Sequence, residues 1–298
     1  MDAEQFLIAG GSGSIGRLLT KTFQAMGVNV VWISRNPNPE QNSLHYSDFE
    51  RKASQIFEKP TVLVNLAGAA IAEQRWSVAR KGELTDSRVL TTKALVQAIL
   101  SSSNKPILVI QGSATGIYGN MQYPADETEK PGRGFLSDLA IRWEAGAKPL
   151  QDAGIPVAIV RMGTFLDRDS GFLKALLPLF RLNLGSPIGS GRQYISWIHK
   201  EDVSGAFLHL VQKKLSGVFN VTAPNPVTNR DFSSALNRVL HRFNPVPIPG
   251  AILELLLGQM AKELILSGQQ AIPRHLLTSG YEFRFSTIDQ ALENLIQK

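Results

Sequence analysis

Three glycines, Gly10, Gly13 and Gly16, recur at three-residue spacing in "AGGSGSIGRLL" near the start of the chain. A glycine-rich loop that opens a helix can take backbone very close to a phosphate. The N–H groups of the first helical turn, here at Ser14, Ile15 and Gly16, then meet a pyrophosphate with the positive end of the helix dipole behind them. About twenty residues further on stands Ser34-Arg35. A carboxylate at that place would bind a ribose 2′-OH, whereas a guanidinium beside a hydroxyl suits a 2′-phosphate. The pair favours NADP(H) over NAD(H), with an ordinary surface arginine in a turn as the alternative. Asp48 either faces the adenine edge or caps the helix after it.

The elements needed to position these groups are legible. "QFLIAG" is a strand candidate, and Ile15, Leu18, Leu19, Phe23 and Met26 keep helical spacing over Ser14 to Met26. "VNVVWIS", "TVLVNLAG", "PILVIQGSA" and "PVAIVRMG" read as further buried strands. Helical patterns run over about Val78 to Leu100 and Phe135 to Ala147. Repeated strand–helix alternation predicts an α/β, doubly wound parallel sheet with helices on both faces and a smaller C-terminal substrate lobe. The texture changes after Gly163. Residues 1–165 are assigned to the nucleotide-binding domain, with a return segment at about 200–222 that includes the strand candidate "GVFNVTA". Residues 166–199 and 223–298 are assigned to the substrate lobe. There "GFLKALLPLFRLNL", Asn229 to His241 and "AILELLLGQMAKELIL" read as helices, the last one buried or lining a groove. Thr287 with Gln290 has the spacing of a capping box.

Composition narrows the classes. The chain has 298 residues, 43% of them apolar and 19% charged, with 31 basic and 25 acidic side chains and a net charge of +6. No Lys/Arg run marks a nucleic-acid surface, and no RNA motif accompanies the basic balance, so no nucleic-acid partner is expected. With no cysteine there is no disulfide, thiolate metal site or cysteine nucleophile. The five histidines are not clustered as ligands, so no metal is expected. The run Phe6 to Ala9 is too short for a signal peptide, and Glu254, Lys262 and Glu263 interrupt the most apolar late stretch. The expectation is therefore a cytoplasmic protein with no membrane partner. A small-molecule substrate is expected, and the sequence leaves room for a homodimer without specifying one.

The glycine spacing, together with "NLAG" at Asn65 to Gly68, resembles the extended or atypical short-chain dehydrogenase/reductases. Longer stretches are similar to the bacterial epimerase family proteins, labelled NAD-dependent epimerase/dehydratase-like or cell-division-inhibitor-like. These are "NLAGAAIAEQRWSVARKGELTDSRVLTTKALVQAI", "LPLFRLNLGSPIGSGRQYISWIHKEDV", "NVTAPNPVTNRDF" and "LILSG…PRHLLTSGYEF", which together span nearly the whole chain. The resemblance implies a Rossmann-type fold with NADP(H) held by the glycine loop, by Ser34-Arg35 and by the backbone of Leu66, Ala67 and Gly68. It also implies Glu83 and Arg88 over the cofactor, Arg88 near its phosphates. From charge alone, Glu83 and Arg88 could equally be a salt-bridged helix face.

Reductases and epimerases of that superfamily use a Tyr and a Lys four residues apart on one helix face. The ammonium lowers the phenol pKa, and the phenol passes a proton while hydride moves. No Tyr-x-x-x-Lys occurs in this chain. Aligned on Glu144, the corresponding helix "GFLSDLAIRWEAG" carries Leu136 and Ala140 at the two places. "GSATGIYG" resembles the segment that supplies a substrate-side hydroxyl, for which Ser113 or Thr115 is the candidate. A replacement proton donor is sought in Tyr118, Tyr194 or His199, the last with a structural alternative as a packed, hydrogen-bonded histidine. Arg181 and Arg192 could clamp an anionic substrate. Trp143 and Trp197 read as packing residues. The expected function is an NADP(H)-dependent oxidoreductase or sugar-nucleotide epimerase-like enzyme without the usual pair; the alternative is a non-catalytic NADP(H)-binding regulatory protein.

Overall fold

The computed structural model describes residues 3–38, 40–243 and 246–297. Its centre is a seven-stranded, fully parallel sheet built from β1 (Gln5–Ala9), β2 (Asn29–Ser34), β3 (Ser43–His45), β4 (Thr61–Asn65), β5 (Leu108–Ala114), β6 (Val157–Met162) and β7 (Gly217–Val221). The spatial order is β7-β6-β5-β4-β1-β2-β3. The chain steps from β1 to one side for β2 and β3, then returns to the other side for β4. This topological switch leaves a crevice at the carboxyl ends of β1 and β4, where doubly wound sheets take ligands. Ala9 is level with Ile33 of β2 and with Asn65 of β4, so Gly10, Ser34 and Leu66 emerge along one edge.

Side-chain alternation along β1 explains the two covering layers. Phe6 and Ile8 face a core that contains Leu19 and Phe23 of α1 (Ser14–Ala25). The rings of Phe6 and Phe23 stack at 3.8 Å. Leu7 and Ala9 face the opposite core, with Phe49 of α2 (Tyr46–Ile56) and Leu95 and Ile99 of α3 (Val78–Ser101). The helix α4 (Phe135–Ala145) follows β5. Beyond β6 come α5 (Gly171–Arg181), α6 (Lys200–Gln212), α7 (Asn229–Val239) and, at the end, α8 (Ile288–Gln297). Val203, Phe207 and Leu210 of α6 join the first core. A third apolar cluster unites α5, α7 and α8 around Phe180, Trp197 and Phe232.

Two helical expectations change. The stretch "AILELLLGQMAKELIL" is broken into Gly250–Leu257 and Gln259–Leu264. Gly258 adopts φ +60°, a left-handed conformation that ends the first piece. The first piece buries none of its residues, while the second buries Met260 and Ala261 and ends at Glu263 to Ile265 on the wall of a large cleft, so the groove-lining alternative holds for the second piece. The pattern "GFLKALLPLFRLNL" stops at Arg181, where Asn183 turns to φ 58°. Half of the proposed capping box is present: the Gln290 side chain accepts the Thr287 N–H at 3.4 Å. Among the described residues, no helix is long and apolar enough to cross a membrane, and no group of three His or acidic side chains could hold a metal ion.

Candidate functional site

The glycine loop leaves β1 and enters α1 with almost no spare room. Gly10 has φ +86°, and a Cβ there would lie 2.7 Å from the Leu66 carbonyl. A Cβ on Gly16 would lie 2.3 Å from Gly10 O, so this glycine lets the helix rest on the loop. Gly13 is less constrained, with only Gly10 O at 3.3 Å. It is the N-cap of α1, which has neither a side-chain cap nor an acidic residue in its first turn. The N–H groups of Ser14, Ile15 and Gly16 are therefore available at the positive end of the helix.

Beside this loop lies a small cavity of about 140 Å³. It is bounded by Gly10 to Ser12, by Ser34 and Arg35 after β2, and by Ala67 and Gly68 after β4. Arg35 is exposed and makes no ion pair among the described residues. The Ser34 hydroxyl closes its own turn, donating to Asn36 O at 3.0 Å and accepting the Asn36 N–H at 3.1 Å. Two aromatic walls went unread in the sequence. A Cβ on Gly11 would lie 2.4 Å from the Trp32 ring, and the Trp32 indole N–H donates to Thr20 at 2.8 Å. Tyr46 lines the same cavity, its phenol pushed up to about 12 by burial against the opposing charge of Arg35. Asp48 takes neither of its expected roles. It pairs with Arg51, it lies off the cavity lining, and His45 is the helix cap.

The "NLAG" turn is pinned from below. The Asn65 amide donates to Thr92 and Gln111 at 2.9 and 3.0 Å, while its oxygen accepts the Ala67 N–H at 3.2 Å. Arg88 lies against Gly68, where a Cβ would meet its guanidinium carbon at 2.7 Å. It donates to the carbonyls of Leu84 and Ala69, both at 3.0 Å, and lies over the Trp143 ring at 5.2 Å. Burial, with Arg80 nearby, brings its pKa down to about 10, so it stays charged at neutral pH. Glu83 is placed differently. It pairs with Arg80 at 2.7 Å, is mostly exposed, and lines neither this cavity nor the larger cleft beside it. The two residues are thus not one salt-bridged face.

That cleft, about 800 Å³, begins at Ser14 and Arg88 and runs outward between α4 and the later helices. Leu136 and Ala140 of α4 face into it, four residues apart, with Trp143 beyond. One turn beyond Ala140, α4 carries Glu144 into a buried polar network. Ser113 donates to Glu144 at 2.5 Å, and Arg161 of β6 grips the same carboxylate through two N–H groups at 2.9 and 3.0 Å. Arg161 also donates to the Tyr118 hydroxyl at 2.9 Å, which in turn donates to Asn220 at 2.7 Å. Burial disfavours the Arg161 charge, but Glu144 and Tyr118 outweigh it and hold the pKa above the usual guanidinium value. Burial pushes the Tyr118 phenol up.

These contacts correct three expectations. Ser113 and Tyr118 line neither cavity, and their hydroxyls are committed to the network. His199 is fully buried away from the cleft, its Nδ1 accepting the Glu201 N–H at the start of α6 and its ring 3.8 Å from Phe285. Burial, with the charge of Lys200, lowers its pKa to about 4, so it is a neutral helix cap. Arg181 and Arg192 also lie outside the cleft lining. Trp197 packs at the centre of the third cluster, its N–H donating to Asn225 O at 2.9 Å. Two candidates do face the cleft. Thr115 accepts from Gln269 at 2.8 Å and keeps its own proton uncommitted. Tyr194 is the only phenol on the lining, and among the described residues nothing hydrogen-bonds its hydroxyl. Glu263, unread in the sequence, lines the cleft and accepts the N–H groups of Phe135 and Leu136 at 3.1 and 2.9 Å, capping α4.

Residues 6–222 match the NAD dependent epimerase/dehydratase family, and residues 248–295 match a domain of unknown function (DUF1731). The chain belongs to the NAD dependent epimerase/dehydratase family. This family member is 38% identical over 291 residues to the epimerase family protein Mb2239 of Mycobacterium bovis, covering 96% of this chain and 95% of the relative. It superimposes on the crystal structure of human epimerase family protein SDR39U1 (isoform 2) with NADPH. The TM-score is 0.90 at 31% identity, over 98% of this chain and 99% of the human one. A nucleoside-diphosphate sugar epimerase from Corynebacterium glutamicum gives a TM-score of 0.78 at 28% identity, over 99% of this chain and 58% of that one.

Proposed function

We propose that this family member binds NADP(H) between the glycine loop and Arg35, and transfers hydride to or from a small molecule in the 800 Å³ cleft. The cradle suits a dinucleotide. Gly10 and Gly16 fill it so closely that a Cβ at either would collide with backbone. The open end of α1 faces a pyrophosphate, and the unpaired Arg35 reaches a ribose 2′-phosphate. Arg88, wedged under Gly68 at the inner end of the cleft, sits where the phosphates and the nicotinamide arm must pass. The NADPH found with the human relative supports the same choice.

Bound NADPH would supply a hydride to a carbonyl carbon, leaving NADP⁺ and an alkoxide oxygen that needs a proton. Tyr194 is assigned as the donor of that proton because it lines the cleft and, among the described residues, nothing hydrogen-bonds its hydroxyl. Thr115 orients the same oxygen through its free hydroxyl proton. Leu136 and Ala140 exclude water where the tyrosine and lysine of related reductases stand. The observation that carries the reading is the open cleft itself, which a protein holding a nicotinamide purely as a structural ligand has no need to keep. The same apolar pair favours a second reading, a regulatory NADP(H)-binding protein. Stereospecific NADPH oxidation against a panel of aldehydes, ketones and nucleotide sugars separates the two. Turnover supports hydride transfer, while tight NADPH binding without turnover on the whole panel supports regulation.

A further inference from the structure

The lining of the large cleft is poor in positive charge. Arg88 is its sole cation among the described residues, and two of its N–H groups are already on the Leu84 and Ala69 carbonyls. Two carboxylates, Glu73 and Glu263, share the lining. The outer walls are Phe165, Phe172, Leu176, Phe180, Ile195 and Phe232. Arg181 and Arg192, the residues named from the sequence as an anion clamp, lie outside the lining. Of the helices that begin at the cleft, α4 and α7 have N–H groups of their first turn already bonded by Glu263 and Thr228. Thr228 caps α7 by accepting the Asp231 N–H. The start of α5 has no side-chain cap; the residue before it, Ser170, donates to the Asp167 carboxylate at 2.7 Å, and that carboxylate is paired with Lys200 at 2.9 Å.

We infer that the cleft takes an uncharged, largely apolar carbonyl compound or alcohol, and not a nucleoside diphosphate sugar. A diphosphate carries two charges into a low-dielectric site and needs cations or free backbone donors for both. Here Arg88 is the one cation among the described lining residues, while Glu73 pairs with Arg80 at 3.8 Å and Glu263 holds the N–H groups that open α4. An alkyl or aryl chain instead meets aromatic and branched walls in a space of ligand size, while Tyr194 and Thr115 supply the polar contacts for one oxygen. This inference rests on the hydride-transfer reading for the oxygen's fate, but the binding claim stands on the lining alone.

The test is calorimetric titration of the NADP⁺-saturated full chain with the 2-alkanones from butanone to dodecanone, and separately with UDP-glucose. Affinity is expected to rise about threefold to fourfold per added methylene until the cleft is full. UDP-glucose is expected to bind at least about tenfold more weakly than the longest ketones. Phe172→Arg places a cation on the outer wall at a half-exposed position that tolerates it. It is expected to weaken the long ketones by about tenfold and to strengthen UDP-glucose, with NADPH affinity within about twofold of the parent. A flat or undetectable ketone series overturns the inference, and so does UDP-glucose binding as tightly as the best ketone. The two failures remain distinguishable. Ketone binding without NADPH oxidation keeps this inference and removes hydride transfer; oxidation of NADPH or epimerisation with nucleotide sugars and a flat ketone series does the reverse.

Discussion

The dinucleotide cradle and the large cleft meet at Ser14 and Arg88, yet they are built by opposite means. The cradle is backbone: missing Cβ atoms at Gly10, Gly11 and Gly16, a helix end without a cap, and one unpaired guanidinium. The cleft is side chain, contributed by β5, α4, α5, α7 and the segment around Gly268. The difference teaches where each specificity is stored. A phosphate is held by geometry that only glycine permits, so it is fixed by a few positions. An apolar ligand is held by area and shape, so many positions share it and any one can vary.

The sharpest way to break this comparison is Tyr194→Phe. If the cleft performs chemistry, kcat for carbonyl reduction falls by about 10²- to 10⁴-fold while NADPH affinity is unchanged, as read by steady-state kinetics beside fluorescence titration. Equal loss in both would show that the two regions are not separable. The next effect is on the scaffold they share. Arg161→Ala leaves the buried Glu144 carboxylate without its partner and should cost about 3–5 kcal/mol in urea-induced unfolding. A smaller shift follows from His199, whose folded pKa of about 4 lies below its unfolded value. The unfolded chain then binds the extra proton between pH 4 and pH 6.5. Stability is full above that window and falls, by about 3 kcal/mol from this group, as pH drops through it. His199→Gln should flatten that part of the pH–stability curve.

The cradle is sharpened last. Arg35→Asp should weaken NADPH by about 10- to 100-fold and leave NADH within about threefold, measured by calorimetry. Equal weakening of both coenzymes would move the 2′-phosphate contact away from Arg35.

The cradle was the more legible of the two regions for the same physical reason that it is rigid. Glycine spacing after an apolar strand constrains the backbone locally, and the strands at Gln5–Ala9 and Thr61–Asn65 lie where their apolar runs place them. Long-range partners are not written locally. Ser113, Tyr118 and His199 are the residue types that do proton chemistry, but only the fold reveals that Glu144, Asn220 and the Glu201 N–H have claimed them. One signal was available: Arg161 interrupts the apolar run "PVAIVRMG", and a charge in a buried strand demands a counter-charge. In "AILELLLGQMAKELIL" the apolar composition foretold a helix end that lines the cleft, at Glu263 to Ile265, but not the left-handed turn at Gly258 that splits the stretch.

The Glu263 carboxylate that caps α4 ties the two matched stretches of the chain into one inheritance unit. Phe135 and Leu136 belong to the first stretch and Glu263 to the second, so a graft of residues 248–295 from a distant relative must bring an acceptor of the same reach. A tail without that acceptor would leave the Phe135 and Leu136 N–H groups at the start of α4 unpaired.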